Sequence, residues 1–494
     1  MLTLITFLPI LGAIFIALLP SAQTGTIKRA ALGVSLLAFA ASVFLLIGFD
    51  PSKAGYQFVS SAEWIPQFGI GYKLGVDGIS IWLLMLTTFT FPIAIWFSGN
   101  SIHDREKEFY ALMLLMETAT LGVFLSLDLF LFYVFWEFAL VPMYFIIGLW
   151  GGERRVYASL KFFIYTMAGS VLMLIAILYL GINGGTFDVE KLIALKGAWV
   201  SSGPLFWAFA IAFLIKVPLF PFHSWLPDAH VEAPTPGSVI LAAVLLKMGG
   251  YGLIRFNLGL FPEASAAFSW VLMALSAVAI VYGAIVAFAQ SDAKKLVAYS
   301  SVSHMGYIVL GIFSMNAIGV SGAILQMINH GLSTGGLFLI IGFIYERRHT
   351  REMAKFGGLW SRMPLYGTLA LLFVLSSVGL PAMNGFVGEF TILQGAFAAN
   401  RFWTIVATFG MVFSAVYLLT MFQKMFLGES RDPANDTLQD LSWREVIAVA
   451  PLLVLCFVIG LIATPFFNNM SASVAQLVNG GAGDEVKTSC VITS

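Results

Sequence analysis

The sequence predicts an all-α protein that crosses a membrane about fourteen times. Hydrophobic residues make up 59% of the 494-residue chain and charged residues only 11%, whereas soluble domains carry about 25% charged residues. Apolar runs of about 20 residues, the length that an α-helix needs to cross a bilayer, recur along the chain. These runs lie at 2–20, 27–49, 78–99, 109–126, 128–150, 158–181, 204–222, 235–254, 265–289, 293–313, 317–344, 364–399, 402–426 and 444–465.

Composition and motifs exclude several classes of function. The net charge is zero, so nothing indicates a nucleic-acid partner. The two cysteines, Cys456 and Cys490, form no CxxC pair, which argues against an iron–sulfur or zinc site within this chain. Phosphate-binding glycine motifs are absent as well. The first run is preceded by no positive charge, while Lys28 and Arg29 follow it, and so we expect a retained helix rather than a signal peptide.

Two of the runs contain helix breakers. Pro218 and Pro221 interrupt the 204–222 run, and Gly379 and Pro381 interrupt the 364–399 run. Five runs separate the two, so the broken helices cross the membrane in opposite directions. Two inverted five-helix repeats produce this pattern, with the transport site at the breaks. The predicted divisions are 1–108 for the first three helices, 109–254 and 265–427 for the two repeats, and 428–494 for the last helix and tail.

The distribution of basic residues predicts the orientation. Sixteen Lys and Arg residues follow odd-numbered runs, whereas seven follow even-numbered runs or lie in the tail. Since cytoplasmic loops carry the excess of positive charge, both termini are expected outside.

Ionisable residues deep within the runs are the candidate functional residues. A charge at the bilayer centre costs roughly 2.5–3.5 kcal/mol on insertion scales, so such residues need a reason to be there. The candidates lie at least five residues inside their runs, and they are Glu117, Glu137, Lys216, Lys247, His304, His330 and Glu389. Glu117 is the weakest of them.

Glu137 and Lys216 are expected to form a buried ion pair. A lone ammonium in hydrocarbon tends to lose its proton, and a carboxylate beside it restores the charge. Separating the two would make the lysine release a proton. The neighbouring prolines free backbone carbonyls and admit water. Two alternatives stay open: a neutral, hydrogen-bonded Glu137, and a Lys216 side chain that reaches the membrane surface.

Lys247, His304, His330 and Glu389 are expected to form a polar row through the membrane midplane. Lys247 precedes two glycines that allow close helix packing, and the histidines have polar or small neighbours. Histidine exchanges protons near neutral pH. The alternatives are a Lys247 that snorkels to the surface and histidines that are merely hydrogen-bonded.

Five other charged residues are expected to be structural. Asp77 and Asp292 are read as helix N-caps. Lys294 and Lys295 are read as ordinary charges of an inside loop, and Lys161, which lies close to the end of its run, is also read as structural.

Several long stretches resemble a known family. The stretches are LFYVFWEFALVPMYFIIGLWGG, FLIKVPLFPFHSWLPDAHVEAPTPGSVILAAVLLKMGGYGLIR, SDAKKLVAYSSVSHMGY and GLPAMNGFVGEF. They are similar to the antiporter-like subunits of respiratory complex I, over nearly the whole chain. Glu389 indicates the M type (subunit 4 in mitochondria), because the other antiporter-like subunits and the related sodium/proton antiporter subunits typically have lysine there.

The resemblance implies proton translocation driven by redox chemistry in partner subunits, which would hold NADH, FMN, iron–sulfur clusters and quinone. It implies no cofactor in this chain and a place beside other antiporter-like subunits. We expect the location to be a bacterial inner membrane, and an organelle membrane is the alternative. Position by position, Glu137 and Lys216 match the family's ion pair, Lys247 the central lysine, His304 and His330 the connecting residues, and Glu389 the terminal proton-exchanging residue. A sodium/proton antiporter subunit and a haem protein ligated by His304 and His330 are the alternatives.

Overall fold

Most residues are helical in the structure, a computed structural model that describes residues 1–197 and 199–480. Cys490 and Lys487 lie outside the described residues. The first ten helices are α1 (Leu2–Leu18), α2 (Thr24–Ile47), α3 (Ser80–Ser101), α4 (Glu106–Leu125), α5 (Leu129–Trp150), α6 (Arg155–Gly184), α7 (Val189–Leu195), α8 (Gly203–Lys216), α9 (Trp225–Glu232) and α10 (Thr235–Ile240). The others are α11 (Leu246–Gly252), α12 (Pro262–Phe288), α13 (Ala293–Ile312), α14 (Ala317–Arg348), α15 (Leu359–Arg362), α16 (Pro364–Val378), α17 (Asn384–Ala399), α18 (Arg401–Phe426), α19 (Trp443–Leu461) and α20 (Thr464–Asn479).

The all-α membrane fold predicted from the sequence is confirmed. Within the described residues, ten helices are long and apolar enough to cross a membrane, and α1, α8 and α16 are shorter apolar helices. The number of fourteen crossings is not confirmed by this criterion. One of the ten spans Thr235–Leu258 and contains α10, α11 and two π-helical segments, Leu241–Leu245 and Leu253–Leu258.

Both predicted helix breaks are present. α8 ends at Lys216, and a turn that contains Pro218 and Pro221 leads into α9. α16 ends at Val378, where Gly379 adopts a left-handed φ of 82°, a conformation that glycine reaches without a steric penalty. The five-residue gap between α16 and α17 also contains Pro381. Proline breaks a helix because it has no backbone N–H group to donate. Glycine ends a helix because it readily adopts the left-handed conformation found after the last helical residue.

The core of the bundle lies around α14. This helix packs against α13, α16, α17 and α19, while α13 also packs against α9 and α12. The apolar stretch of α14 is completely buried, and so is that of the helix spanning Thr235–Leu258, whereas those of α2 and α19 are largely exposed. The exposed faces carry large apolar side chains such as Phe44 and Val454, as expected for surfaces that face lipid.

Several elements between and after the runs were not predicted, among them a hairpin and two helices. An antiparallel hairpin of β1 (Gln57–Ile65) and β2 (Ile70–Val76) occupies the loop after α2. The short α7 lies in the 182–203 loop, and α20 follows α19 in the region read as a tail. All three are too polar or too short to appear as apolar runs.

Lys73 ties the hairpin to the start of α7. Its Nζ lies 2.8 Å from Asp188 Oδ2 and 2.5 Å from Glu190 Oε2. Burial lowers the pKa of Lys73, but the hydrogen bonds and charges of the two carboxylates outweigh it and raise the pKa above the ordinary 10.5.

Two cap predictions are confirmed, and one reading is wrong. Asp292 accepts hydrogen bonds from the backbone of Lys294 and Lys295 at the start of α13, and Asp77 accepts from Ile79 and Ser80 before α3. Lys294, however, is not a loop charge. It is buried in the first turn of α13, and its Nζ donates to the Ala233 carbonyl, 2.6 Å away, at the end of α9. Orientation and the four-part division remain predictions.

Candidate functional site

The centre of the candidate site is a row of four buried side chains from four helices. Lys247 belongs to α11, His330 to α14, His304 to α13 and Glu389 to α17. All four are at most 3% exposed. These helices meet because α14 packs between α13 and α17 and against the π-helical segment before α11. The sequence predicted that these four residues form a row but not the order of the two histidines, and the structure brings them together in the order Lys247, His330, His304 and Glu389.

Lys247 forms one end of the row. Its Nζ donates to the Ala242 carbonyl, 2.5 Å away, and is hydrogen-bonded to His330 Nδ1, 2.6 Å away. Ala242 lies in the π-helical segment Leu241–Leu245, where i to i+5 backbone bonding shifts the carbonyls from their α-helical positions. When the lysine ammonium donates this bond, Nδ1 of His330 accepts it and the neutral imidazole carries its proton on Nε2.

His304 and Glu389 form the other end. His304 Nδ1 lies 2.8 Å from Glu389 Oε1, and the same oxygen accepts from Gln326 Nε2 at 3.1 Å. The second nitrogen of His304 is 3.4 Å from the Tyr417 hydroxyl. Glu389 Oε2 has no hydrogen-bond partner in the protein. One oxygen of the carboxylate is thus held by two donors, and the other is free to take a proton.

The two histidine rings connect these ends. Their ring centroids are 5.9 Å apart, with a tilt of 58° between the planes. Nε2 of His330 has no protein partner. A proton that crosses between the rings therefore needs a bridging water or a small ring rotation, and every other step in the row follows a hydrogen bond.

A network of amides extends the row into the second helix break. Asn329 Nδ2 donates to Gln326 Oε1 at 3.2 Å and to the Asn384 carbonyl at 2.7 Å. Ser376 donates to Asn384 Oδ1 at 2.5 Å. These residues were missed because amides are not ionisable. The signal that could have found them is the spacing of Gln326, Asn329 and His330 on one face of α14.

The predicted ion pair of Glu137 and Lys216 is not closed. Their charged atoms lie farther apart than 4.0 Å. Lys216, the last residue of α8, is 1% exposed, and its Nζ lies 5.4 Å from the ring centroids of both Trp136 and Phe162. The faces of the two rings attract the cation in place of the carboxylate. Trp136 is held in place by a hydrogen bond from its indole nitrogen to Ser170.

Glu137 itself is half-buried on α5. Its Oε1 is shielded from solvent and has no hydrogen-bond partner. The structure therefore places this carboxyl one residue from the tryptophan that contacts Lys216, but in an unpaired state. The hydroxyl groups of Ser170 and Tyr133 are polar neighbours of this carboxyl, so the neutral, hydrogen-bonded Glu137 stays an alternative.

Two histidines near the first helix break were overlooked in the sequence. His230 on α9 is completely buried and stacks on Phe338 at a centroid distance of 4.5 Å, and neither of its ring nitrogens has a partner. His223 lies in the turn before α9, and its Nδ1 is also unpartnered. Both fall between the apolar runs 204–222 and 235–254, because the second half of this broken helix is too polar to register as a run.

Glu117 lies outside the row. It is completely buried on α4, where Ser35 of α2 donates to its Oε1 at 3.1 Å. Its other oxygen has no partner. The helices that hold it, α2 and α4, do not contribute to the row, which agrees with its rank as the weakest candidate.

The geometry argues against the haem alternative. Both nitrogens of His304 and Nδ1 of His330 already have hydrogen-bond partners, so only one of the four nitrogens is free to bind iron. Over residues 1–197 and 199–480, no group of three or more His, Cys, Asp or Glu side chains could hold a metal ion.

The chain matches the family described as NADH:quinone oxidoreductase/Mrp antiporter, TM, over residues 126–414. It is 45% identical to NADH-quinone oxidoreductase subunit M of Rhodobacter capsulatus, over 98% of this chain and 97% of the relative. It is 40% identical to NADH-ubiquinone oxidoreductase chain 4 of Marchantia polymorpha, over 97% of each chain.

A solved structure has the same fold. A chain of respiratory complex I from Thermus thermophilus with bound NADH superimposes with a TM-score of 0.88 at 33% sequence identity. The superposition covers 97% of this chain and 100% of the other. The residues matched by the family, 126–414, include both broken helices and all four residues of the row.

Proposed function

The chain belongs to the NADH:quinone oxidoreductase/Mrp antiporter membrane family, and we propose on that premise that it is the M-type proton-translocating membrane subunit of a bacterial NADH:quinone oxidoreductase, complex I. Its relatives carry the names subunit M and chain 4 over nearly their full lengths. It is a multi-pass protein of the inner membrane and works beside other membrane subunits, including further antiporter-like ones.

The observation that carries this proposal is the buried row Lys247–His330–His304–Glu389. Isolated ionisable groups in a membrane are costly and are retained where they move ions. Here four of them follow one another. A hydrogen bond joins Lys247 to His330, the rings of His330 and His304 are adjacent, and a hydrogen bond joins His304 to Glu389. Such a row is a path for protons.

Each proton step can be written at named atoms. A proton leaves Lys247 Nζ and binds His330 Nδ1, which converts that ring to an imidazolium. The imidazolium releases its Nε2 proton through a bridging water or a ring rotation, and His304 takes a proton on its own Nε2. His304 gives the proton on Nδ1 to Oε1 of Glu389, 2.8 Å away. Glu389 can then pass a proton on from Oε2, the oxygen without a partner.

Glu137 and Lys216 are proposed to set the charge at the start of the row. When Glu137 approaches Lys216, the pair stabilises the lysine ammonium, and when it withdraws, the lysine depends on the faces of Trp136 and Phe162 alone. The structure has the withdrawn arrangement. A Glu137→Gln assembly is expected to lose pumping, and near-normal pumping in it would contradict this role.

The energy for transport must come from elsewhere. Moving one proton against 100 mV costs about 2.3 kcal/mol. The sequence contains no nucleotide-binding or redox motif, so we place the driving chemistry in partner subunits. We propose that those subunits hold the NADH site, FMN, iron–sulfur clusters and quinone.

A sodium/proton antiporter subunit is the second candidate, because the family description includes Mrp antiporters. The relatives at 40–45% identity are named as oxidoreductase subunits instead. Glu389 also differs from the lysine that the resemblance leads one to expect in antiporter subunits. The candidate is therefore less well supported.

The native assembly distinguishes the two functions. The complex that carries this chain is extracted in mild detergent, its subunits are identified, and NADH:quinone reductase activity is measured. An assembly of several hundred kilodaltons with flavin, iron–sulfur clusters and NADH-driven proton uptake in vesicles is expected. A cofactor-free assembly that exchanges sodium for protons without NADH would contradict the proposal.

A further inference from the structure

A seam on the lipid-exposed side of the bundle contains an apolar groove. The groove, about 670 Å³ in volume, lies between α2, α3, α14 and α19 and reaches the start of α20. Its lining consists entirely of apolar and aromatic side chains, including Phe39, Trp82, Phe89, Leu332, Val454 and Phe466. On α19 alone the lining runs from Trp443 to Ile459, which corresponds to about 24 Å of helix. The groove is therefore nearly as long as the hydrocarbon core of a bilayer is thick.

A second cavity follows the groove along the same seam. It is about 320 Å³ in volume and lies at the end of the helices where the excess of basic residues predicts the inner membrane surface. The same four helices line it, with Lys28 and Arg29 from α2, Trp96 from α3, Glu346 from α14 and Arg444 from α19. The chemistry of the seam thus changes from apolar to basic along its length.

The basic residues differ in their partners. Lys28 is paired with Glu106 at 3.0 Å. Arg29 and Arg444 are exposed, and the part of the chain that the structure describes places no carboxylate within 4.0 Å of either guanidinium. Arg444 makes only a 3.4 Å contact with Asn100 Oδ1 and lies 5.7 Å from the Trp96 ring centroid.

The acidic residues in this cavity do not cancel the two arginines. Glu445 is neutralised by Arg347, with Nη1 2.6 Å from Oε1. Glu346 has one buried oxygen without a partner. Two guanidinium groups therefore face one free carboxyl. Guanidinium is the side chain group that best matches a phosphate, because its planar fork donates two parallel hydrogen bonds.

We propose that this seam binds an anionic phospholipid of the inner leaflet, with its phosphate between Arg29 and Arg444 and its acyl chains in the apolar groove. Basic pockets between membrane helices on the cytoplasmic side bind anionic headgroups, and the groove supplies the apolar surface for the chains. The two helices that border the groove, α2 and α19, are also largely unburied within this chain. The site is separate from the proton row and holds whether or not the row carries protons.

The arginines give the site its preference for anionic lipid. Each basic residue at the membrane surface contributes about 1 kcal/mol, so two favour an anionic over a zwitterionic headgroup by about thirtyfold. The assembled complex is reconstituted with phosphatidylglycerol or phosphatidylcholine that carries a photoreactive group in an acyl chain. Labelling of α19 peptides is measured relative to α18, a lipid-exposed helix outside the seam. We expect phosphatidylglycerol to label α19 at least tenfold more than phosphatidylcholine does.

A charge-matched pair of variants tests the residues. Arg29→Gln/Arg444→Gln is expected to bring the labelling ratio close to one. Arg155→Gln/Arg431→Gln removes two exposed, unpaired arginines outside the seam and is expected to keep the wild-type ratio. Because a slowly exchanging lipid would escape labelling, lipid is also counted by native mass spectrometry. The first variant should lose one anionic phospholipid per copy.

Three results would overturn the proposal. The first is equal labelling by the two lipids together with an unchanged lipid count in Arg29→Gln/Arg444→Gln. The second is a loss of anionic lipid of the same size in the control variant. The third is crosslinking of the groove to another polypeptide, which would mean that a neighbouring subunit fills it.

Discussion

Glu389→Gln is the substitution that most sharply separates proton transfer from structure in this site. Glutamine has nearly the same shape as glutamate and can keep hydrogen bonds to His304 and Gln326, which now lie 2.8 and 3.1 Å from Oε1. Replacing charge-assisted bonds with neutral ones costs about 1–2 kcal/mol, and the neutral amide is easier to bury. We therefore expect the complex to assemble.

The effect on transport should be much larger than the effect on stability. An amide cannot take and release a proton as a carboxyl does, and removing a positioned acid–base group slows proton transfer by about 10²–10⁴-fold. In proteoliposomes, NADH-driven acidification followed with a pH-sensitive dye should fall at least tenfold. Assembly, followed on native gels, should stay close to wild type.

The control for this substitution is Glu263→Gln. Glu263 is an exposed carboxyl in the first turn of α12, so the same change of charge there should leave pumping unaltered. If the Glu389→Gln complex assembles and pumps at more than half the wild-type rate, Glu389 does not exchange protons, and the assignment of the row is wrong at this end.

Three further predictions concern other parts of the structure. Gly388→Ala should impair pumping, because a Cβ there would lie 2.1 Å from the amide oxygen of Gln326 on α14. Gly33→Ala, where a Cβ would have nothing within 4 Å, should pump like wild type. Equal pumping by both variants would refute this. Arg255→Gln breaks a buried ion pair in which Nη2 of Arg255 lies 2.7 and 2.8 Å from the two carboxylate oxygens of Asp77. It should lower the melting temperature of the complex, because a buried charge left without its partner costs about 3–5 kcal/mol. Adding Asp77→Asn should recover most of the lost stability. Lys73→Met should lower the melting temperature of the complex at pH 8. The difference in melting temperature between variant and wild type should close as the pH rises through the raised pKa of Lys73, above 10.5, because the stabilisation exists only while the lysine is protonated. A difference that persists at higher pH would show that packing, not charge, is responsible.

The sequence predicted the parts of the fold that depend on local chemistry. Apolar runs identify helices because the bilayer demands them, and Pro218 and Gly379 mark the two breaks because each disrupts helical bonding. The depth of Lys247 and Glu389 within their runs predicted that both are buried. These inferences use only neighbouring residues.

The rest depended on contacts between helices. Nothing local indicates that His304 meets Glu389 rather than Lys216, since that choice follows from how α13 packs against α17. The buried pair of Asp77 and Arg255 was missed for the same reason: each residue lies at a helix end, where a charge normally reaches water. Glu137 and Lys216 were expected in contact, but aromatic rings occupy the space beside the lysine, and no sequence pattern predicts which of two partners a cation takes.

Proton pumping by a Lys247→Met complex tests the central claim most directly. Methionine fills a similar volume but carries no proton, and Lys294→Met is the matched control, because Lys294 is also a buried lysine bonded to a backbone carbonyl, yet lies outside the row. The rate of NADH-driven pumping is measured for both, normalised to assembled complex. We predict a loss of at least tenfold for Lys247→Met and a smaller change for Lys294→Met. Wild-type pumping by assembled Lys247→Met would contradict the row as the path of the proton.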